Sequence, residues 1–531
     1  MIEKSKKYIL GCDVGNGYGY VSLLLDPVSD PLTLFPNNYG IADIGMPTTA
    51  YVVPPEGKNV EVFKNGRTAE VKYRSDPKHL VTAVKRRLVE QRIKFEDIET
   101  PVEVAHVYSA VVKDLLLLAE EELKNMGIEP VYDVVFTFPA EFADNVHLLE
   151  IMQQSIESIE INGKNIHVCG RLPEPAAVAI DYLHYMQYIA PENVRIKEDA
   201  FTVLIYDLGY GTFDTAVVTA KNDINSPYTL HSKDGLMEIG GKDFDQILYD
   251  EILLRLKREY GFVPQNEIQK EMIRQEAVRV KIDLSNSESS TAFIVNENNY
   301  LEIEISRKEF EELSRGLLFQ TLELVQKVLD DAVSKGIKID SIVLSGGASQ
   351  MPMVRNTLRE LMELMESKSP IVLHRPSAAV SFGAARFAYG IRKNFPVNTA
   401  IEQKTDCCYG IWLPSNKDRL EGEVRFLIPC GETRPATSKS VLVRCASSRL
   451  VVKLYRSRDN KNSEIASLED CKSIMYIPFD VEPGTRYGIS IAVLENYAVQ
   501  VKLSSDNGEE CIKTTSDEWI TNNKNKMVEK K

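Results

Sequence analysis

Apolar residues fall into two textures along the chain. Up to about residue 395, continuous apolar runs of strand length alternate with stretches of helical period. Beyond that point short alternating runs take over. Residues 201–206 read as a buried strand and 216–218 as a returning one, with a polar turn between them. Residues 8–14 and 20–25 repeat that plan at the start of the chain. Residues 46–53 predict one strand entering from a turn. Residues 132–139 and 341–345 are further buried strands, the latter ending in Gly346-Gly347. Val107, Val111, Leu115 and Leu118 recur at spacings of three and four, which predicts a helix over 104–126 with Gly127 as its C-cap. Helices are also predicted over 145–159, 272–284, 309–334 and 378–389. Strands at 291–295 and 300–305 flank an apparent hairpin turn at 296–299.

In the last part, Tyr487, Ile489, Ile491 and Val493 alternate with small or polar residues, as in a half-buried strand. Runs at 439–443, 450–455 and 499–503 read alike, and Asp506-Asn507-Gly508 has hairpin-turn chemistry. These patterns predict an α/β domain over 1–395, a small all-β sandwich over 396–515 and a polar, disordered tail over 516–531.

The 531 residues are too many for one core, and 44% hydrophobic with 26% charged residues describes a globular protein. A net charge of −14 argues against nucleic-acid binding. No apolar run is long enough for a membrane span, and no signal peptide is seen. Eight cysteines are too few for a disulfide scaffold, which points to a cytoplasmic location. Six of them lie in the last quarter without Cys-x-x-Cys spacing, as ordinary thiols do.

The chemistry concentrates in the two turns. Asp207-Leu208-Gly209-Tyr210-Gly211-Thr212-Phe213-Asp214 and Asp13-Val14-Gly15-Asn16-Gly17-Tyr18 both link two strands with a carboxylate and spaced glycines. Glycines let backbone N–H groups approach an anion. Carboxylates beside a phosphate make sense when a divalent cation stands between them. One such turn is common hairpin punctuation; two predict related halves facing each other across a nucleotide. Lys85, in the cluster Lys85-Arg86-Arg87, belongs either to a solvated helix face or to the phosphates as a point charge. Glu174, between Pro173 and Pro175, is either a solvated helix-start charge or a site residue. Gly240-Gly241, entering a helix, forms a turn suited to phosphate.

Together these motifs resemble the 70-kDa heat-shock chaperone (DnaK-like) family within the actin-fold ATPases. Tyr206 to Asp214 resembles the family's Asp-Leu-Gly-Gly-Gly-Thr-Phe-Asp loop. Phe138-Pro139-Ala140-Glu141-Phe142, Glu174-Pro175-Ala176-Ala177, Ile239 to Asp245, Lys281 to Ser285 and Ile342 to Gly347 resemble further family motifs in the same order. The resemblance covers residues 8 to 390. It implies an actin-like ATPase domain of two duplicated halves that binds ATP or ADP with Mg2+. Asp13, Glu174, Asp207 and Asp214 would surround the hydrated metal. Lys85 would steady the attacking water and γ-phosphate, with Glu174, Asp207 and Thr212 as the other catalytic groups. The nucleotide-binding set would be Gly15, Asn16, Gly17, Tyr18, Gly209, Tyr210, Gly211, Thr212, Gly240, Gly241, Lys281, Ser285, Gly346, Gly347, Ala348 and Gln350.

The departures carry information too. Asn16-Gly17 stands where the family has two threonines, and Tyr210 replaces a glycine. Val278, Ala348, Gln350 and Ser377 replace polar residues of the adenosine clamp. Each lost polar contact is worth about 0.5–1.5 kcal/mol, which implies weaker nucleotide binding. His147 replaces a relay arginine, no leucine linker is recognisable near 391–406, and no helical lid follows the sandwich. The expected function is a chaperone-like, slow Mg-dependent ATPase that binds polypeptide clients weakly through a lidless β-domain, with cochaperones as further partners. The alternative is a nucleotide-gated scaffold or pseudo-ATPase docking one fixed protein partner.

Overall fold

The computed structural model describes residues 8–35, 45–53, 62–75, 77–186, 200–221, 228–296, 299–393, 401–403, 405, 407–414, 422–430, 432, 435–457, 465–468, 471–494 and 499–514. The tail expected over 516–531 lies outside these residues, as do 297–298 of the turn at 296–299 and much of 391–406. The chain divides into two compact units. One comprises Met1–Glu141, Ile151–Asn222 and Lys233–Val397; the other comprises Phe142–Glu150, Asp223–Ser232 and Asn398–Lys531.

The first unit contains two sheets built on one plan. β1 (Leu10–Val14) turns back antiparallel into β2 (Tyr18–Leu23), with Asp13 opposite Tyr20. On its other side β1 pairs parallel with β3 (Asp133–Phe138), which pairs parallel with β4 (His167–Pro173). In the second sheet β5 (Ala200–Leu208) turns back antiparallel into β6 (Phe213–Lys221). β5 pairs parallel with β7 (Ser341–Ser345), and β7 with β8 (Ile371–Leu373). β1, β3 and β7 are buried along their whole length. This is why they read as unbroken apolar runs rather than alternating ones.

The helices of this unit include α1 (Val104–Asn125), α2 (Glu174–His184), α3 (Gly241–Tyr260), α4 (Glu267–Leu284), α5 (Arg307–Ser334) and α6 (Ala379–Arg392). α6 packs on both β1 and α2. Its small residues make that possible: a Cβ on Gly383 would lie 1.9 Å from the Ala177 carbonyl oxygen. Where α2 and α6 cross, the buried carboxylate of Asp181 accepts from His374 Nε2 at 2.8 Å and from Arg386 Nε at 2.9 Å.

Residues 46–53 do not form the single strand expected. Met46–Pro47 pairs with β2, whereas Ala50–Val53 belongs to a separate three-stranded sheet. Proline has no N–H with which to extend a ladder. Thr48, just after it, clasps the first turn: its N–H donates to Gly17 O at 2.9 Å and its hydroxyl to Gly15 O at 2.7 Å.

The second unit carries two further sheets. In one, β9 (Cys408–Pro414) lies between β10 (Gly422–Ile428) and β11 (Arg449–Ser457), and β11 pairs with β12 (Lys472–Asp480). In the other, β13 (Arg486–Val493), β14 (Val499–Ser505) and β15 (Glu510–Thr514) pair in order. Ile411, Leu454 and Ile477 of the first sheet and Ile489, Ile491 and Val501 of the second belong to one apolar core. β9, β10 and β12 escape the sequence pattern. Gly410 and Pro414 break the alternation of β9, and Pro478 sits within β12 opposite Val451.

Candidate functional site

The five charged residues singled out in the sequence come together in the first unit. Asp13 is near the end of β1, Asp207 near the end of β5 and Asp214 near the start of β6. Asp207 and Asp214 are direct register partners. Glu174 is the first residue of α2, held by Pro173 before it and Pro175 after it. Lys85 belongs to a short helix, Val84–Arg87. Lys85 is 1% exposed and Glu174 7% exposed, so neither belongs to a solvated face. Arg87 of the same cluster does face outward and pairs with Glu90.

Lys85 Nζ donates to the Glu174 carboxylate and lies 3.8 Å from Asp13. The Thr137 hydroxyl donates to Asp13 at 2.7 Å, and the Ala140 N–H donates to Asp214 at 2.5 Å. Burial, reinforced by the charges of Glu174 and Asp13, pushes the Asp207 carboxyl up to about 8. Asp214 is raised well above the usual carboxylate range by burial and by its neighbours Glu174 and Asp207. Asp13 and Glu174 are also raised by burial, against the opposing pull of Lys85. Burial works against the charged form of Lys85, but Glu174 and Asp13 together hold its ammonium above the ordinary lysine value. Four buried carboxylates thus face a single ammonium. Burial disfavours their charged forms, and a hard divalent cation of the Mg2+ type, which the all-oxygen donor set fits, would restore them.

The two glycine turns meet beside this cluster. Asn16 is buried, and its side-chain oxygen accepts from Arg86 N at 2.8 Å. The Arg86 guanidinium lies 3.4 Å from both Gly211 O and the Asp243 carboxylate. Gly17 backs onto the side chain of Tyr210, and Gly211 onto that of Asn16. Gly209 N donates to Thr212 O at 3.0 Å and closes the second turn. Thr212 is buried, while Tyr18 is 42% exposed.

The remaining predicted residues arrive in two groups. Gly240-Gly241 reaches the second turn, but Gly241 N donates to Gly209 O at 2.9 Å and Lys242 N to Tyr210 O at 2.8 Å. Those two helix-start donors are committed to protein carbonyls. Lys281 is paired with Asp245 at 2.6 Å and donates to Gly241 O at 2.9 Å, so it is tethered rather than open to solvent. A Cβ on Gly241 would lie 3.2 Å from Lys281 Nζ and 3.4 Å from the Ala348 Cβ, so these three residues converge. Gly346, at φ 80°, passes so close to Leu208 that a Cβ would lie 2.3 Å from its carbonyl oxygen. Leu208 N donates to Ser349 Oγ at 3.1 Å, which ties the Gly346-Gly347 turn to the second loop. Ser285 bonds to Lys281 O one turn back in α4, and Gln350 to Gly347 O.

Sequence reasoning missed Thr48, Thr137, Ala140 and Arg86 as parts of this site. Arg86 carried a signal in its adjacency to Lys85, and Ala140 in the resembling motif Phe138 to Phe142. Thr48 and Thr137 are ordinary strand and turn residues until the chain brings the turns to them.

Compared with known families, residues 60–403 match the family model described as Hsp70 protein. That is more than half of the chain, and the chain belongs to the Hsp70 family. The mixed α/β architecture fits an actin-like ATPase, and membership supports a chaperone-like, nucleotide-binding protein. Among the described residues, no helix is long and apolar enough to cross a membrane.

Proposed function

We propose that this member of the Hsp70 family binds Mg-ATP and Mg-ADP between its two Asp-x-Gly-x-Gly turns. On this reading it hydrolyses ATP slowly and takes polypeptide clients weakly through its C-terminal β-rich region. The observation that carries the reading is the cluster of Asp13, Glu174, Asp207 and Asp214 around Lys85. All five are buried; Asp13, Asp207 and Asp214 stand at the turns of two hairpins built alike, and Glu174 and Lys85 come to them from two helices. The four carboxylates would hold the hydrated metal, which supplies charge neutralisation for the phosphates. Chemistry of this kind is mostly positioning and electrostatics. Lys85 would place a fixed positive charge by the γ-phosphate and the attacking water. Thr212 would line the same spot. Thr137 and the Ala140 N–H orient Asp13 and Asp214.

A second reading, a pseudo-ATPase that serves as a nucleotide-gated scaffold for one fixed partner, is favoured by one observation. Tyr210 and Asn16 pack against the glycines of the opposite turn, where open backbone is needed for phosphate. The deciding experiment is a thermal-shift and calorimetric titration of the purified chain with Mg-ATP, then again with EDTA, alongside a phosphate-release assay. Stabilisation by nucleotide that EDTA removes, with slow phosphate release, is expected. Stabilisation without release selects the scaffold reading. No heat and no shift at millimolar Mg-ATP rejects nucleotide binding.

A further inference from the structure

Tyr210 sits in the middle of the second turn, and its side chain crosses to the first. A Cβ built on Gly17 would lie 2.8 Å from Tyr210 Cβ and 2.9 Å from Cγ. The root of the ring therefore rests on the backbone of the first turn. The ring thus occupies the space between the two turns. A phosphate that approaches the facing N–H groups of the two turns meets the ring there.

The backbone of Tyr210 has little room to yield. Its carbonyl accepts from Lys242 N at 2.8 Å, and a Cβ on Gly240 would lie 2.5 Å from that carbonyl oxygen and from Gly211 N. Behind the next residue, a Cβ on Gly211 would meet Asn16 Cβ at 2.8 Å, and Asn16 is itself held by Arg86 N. With the main chain fixed on both sides, rotation about the side-chain torsions of Tyr210 is the available way to open the site. Side-chain rotation is fast on the scale of binding, so the ring acts as an equilibrium competitor.

We infer that the Tyr210 ring is a plug in the phosphate site, which must turn out before the phosphates of a nucleoside di- or triphosphate can seat. The inference rests on the nucleotide reading above and adds a control to that same site. The apparent affinity is the intrinsic affinity reduced by the fraction of molecules with the ring turned out. A ring turned out about one tenth of the time weakens nucleotide about tenfold.

The test is isothermal titration of Mg-ADP into the full chain, with Tyr210→Gly, Tyr210→Ala and Tyr210→Phe beside the original. Two truncations guard against one of them failing to fold, and Tyr210→Phe keeps the ring while removing the hydroxyl. The plug requires that Gly and Ala bind Mg-ADP at least tenfold more tightly and that Phe binds like the original chain. Stopped-flow association should become faster in the truncated chains. Equal affinity in all four chains overturns the plug and leaves nucleotide binding intact. Weaker binding by Gly and Ala also overturns it, because the ring would then be a contact for the nucleotide. Tightening by Phe equal to that by Gly overturns it in favour of a hydroxyl effect. If none of the four binds at millimolar Mg-ADP, the nucleotide reading itself falls, and the plug with it.

Discussion

Lys85 and Glu174, 89 positions apart, form a buried ion pair in which the lysine ammonium donates to the carboxylate. The pair stands beside further buried carboxyls, with Asp13 3.8 Å from the ammonium and Asp207 raised by burial and then by Glu174 and Asp13. A lysine held this firmly is a preorganised charge rather than a mobile one. Preorganised charge acts where charge develops in a transition state.

Lys85→Ala should therefore abolish ATP turnover while leaving Mg-ADP affinity within a few-fold. A point charge near the γ-phosphate favours the transition state over the ground state. Single-turnover hydrolysis and calorimetry on the same preparation check this. A parallel loss of binding and turnover would identify Lys85 as a binding residue.

His147 begins to matter where nucleotide and polypeptide binding are expected to communicate. Burial lowers its imidazole to about 4, so it is neutral at pH 7. A neutral ring lacks the fixed charge of the arginine found there in the resembling family. Coupling requires a ligand to distinguish two states, and the expected difference here is small. Peptide off-rates by fluorescence anisotropy should be fast and nearly equal with and without Mg-ATP. Slow release that ATP accelerates severalfold would restore a conventional chaperone cycle.

Asp181 is fully buried between α2 and α6, where it meets His374, Arg386 and, at 3.6 Å, Arg375. Burial alone would raise its carboxyl, yet the His374 hydrogen bond and the arginine charges together hold it below the usual range. Asp181→Ala removes the buried anion and leaves the buried Arg386 with the more exposed Asp30, 3.1 Å away, as its remaining carboxylate partner. A loss of about 3–5 kcal/mol is expected, read as a lower urea midpoint. A change below about 1 kcal/mol would mean that water or a neighbour replaces the carboxylate.

Glu309 caps α5. Its carboxylate accepts from the Ser306 N–H at 3.0 Å and pairs with Arg255 at 2.8 Å. Those contacts lower it to about 2, with the backbone hydrogen bond the largest cause. A depressed carboxyl stabilises the fold above its unfolded value near 4.5 and loses that contribution as pH falls towards 2. Glu309→Gln should cost about 1 kcal/mol at pH 7, less in high salt because the group is largely exposed. The urea midpoint of the original chain should fall more steeply than that of the variant as pH drops from 4.5 towards 2. Parallel acid limbs would show that the cap does not titrate.

Local pattern determined much of this protein. The paired hairpins around Asp13 and around Asp207 and Asp214 are legible because a strand, a tight turn and a returning strand are set by a few adjacent residues. The helical periods of α1 and α5 are legible for the same reason. Tertiary structure decided the rest. Glu174 and Lys85 read by themselves either as solvated charges or as site residues, since nothing near them in sequence reveals the partner that makes burial tolerable. Thr137 and the Ala140 N–H become part of the site only when β3 is laid beside β1 and the turn after it reaches Asp214. Tyr210 showed its identity in the sequence, but only the fold shows its ring lying on Gly17. Backbone preference and hydrophobic period are properties of neighbours along the chain. Burial, ion pairing and the filling of a cleft depend on segments that are distant in sequence, and the fold brings them together.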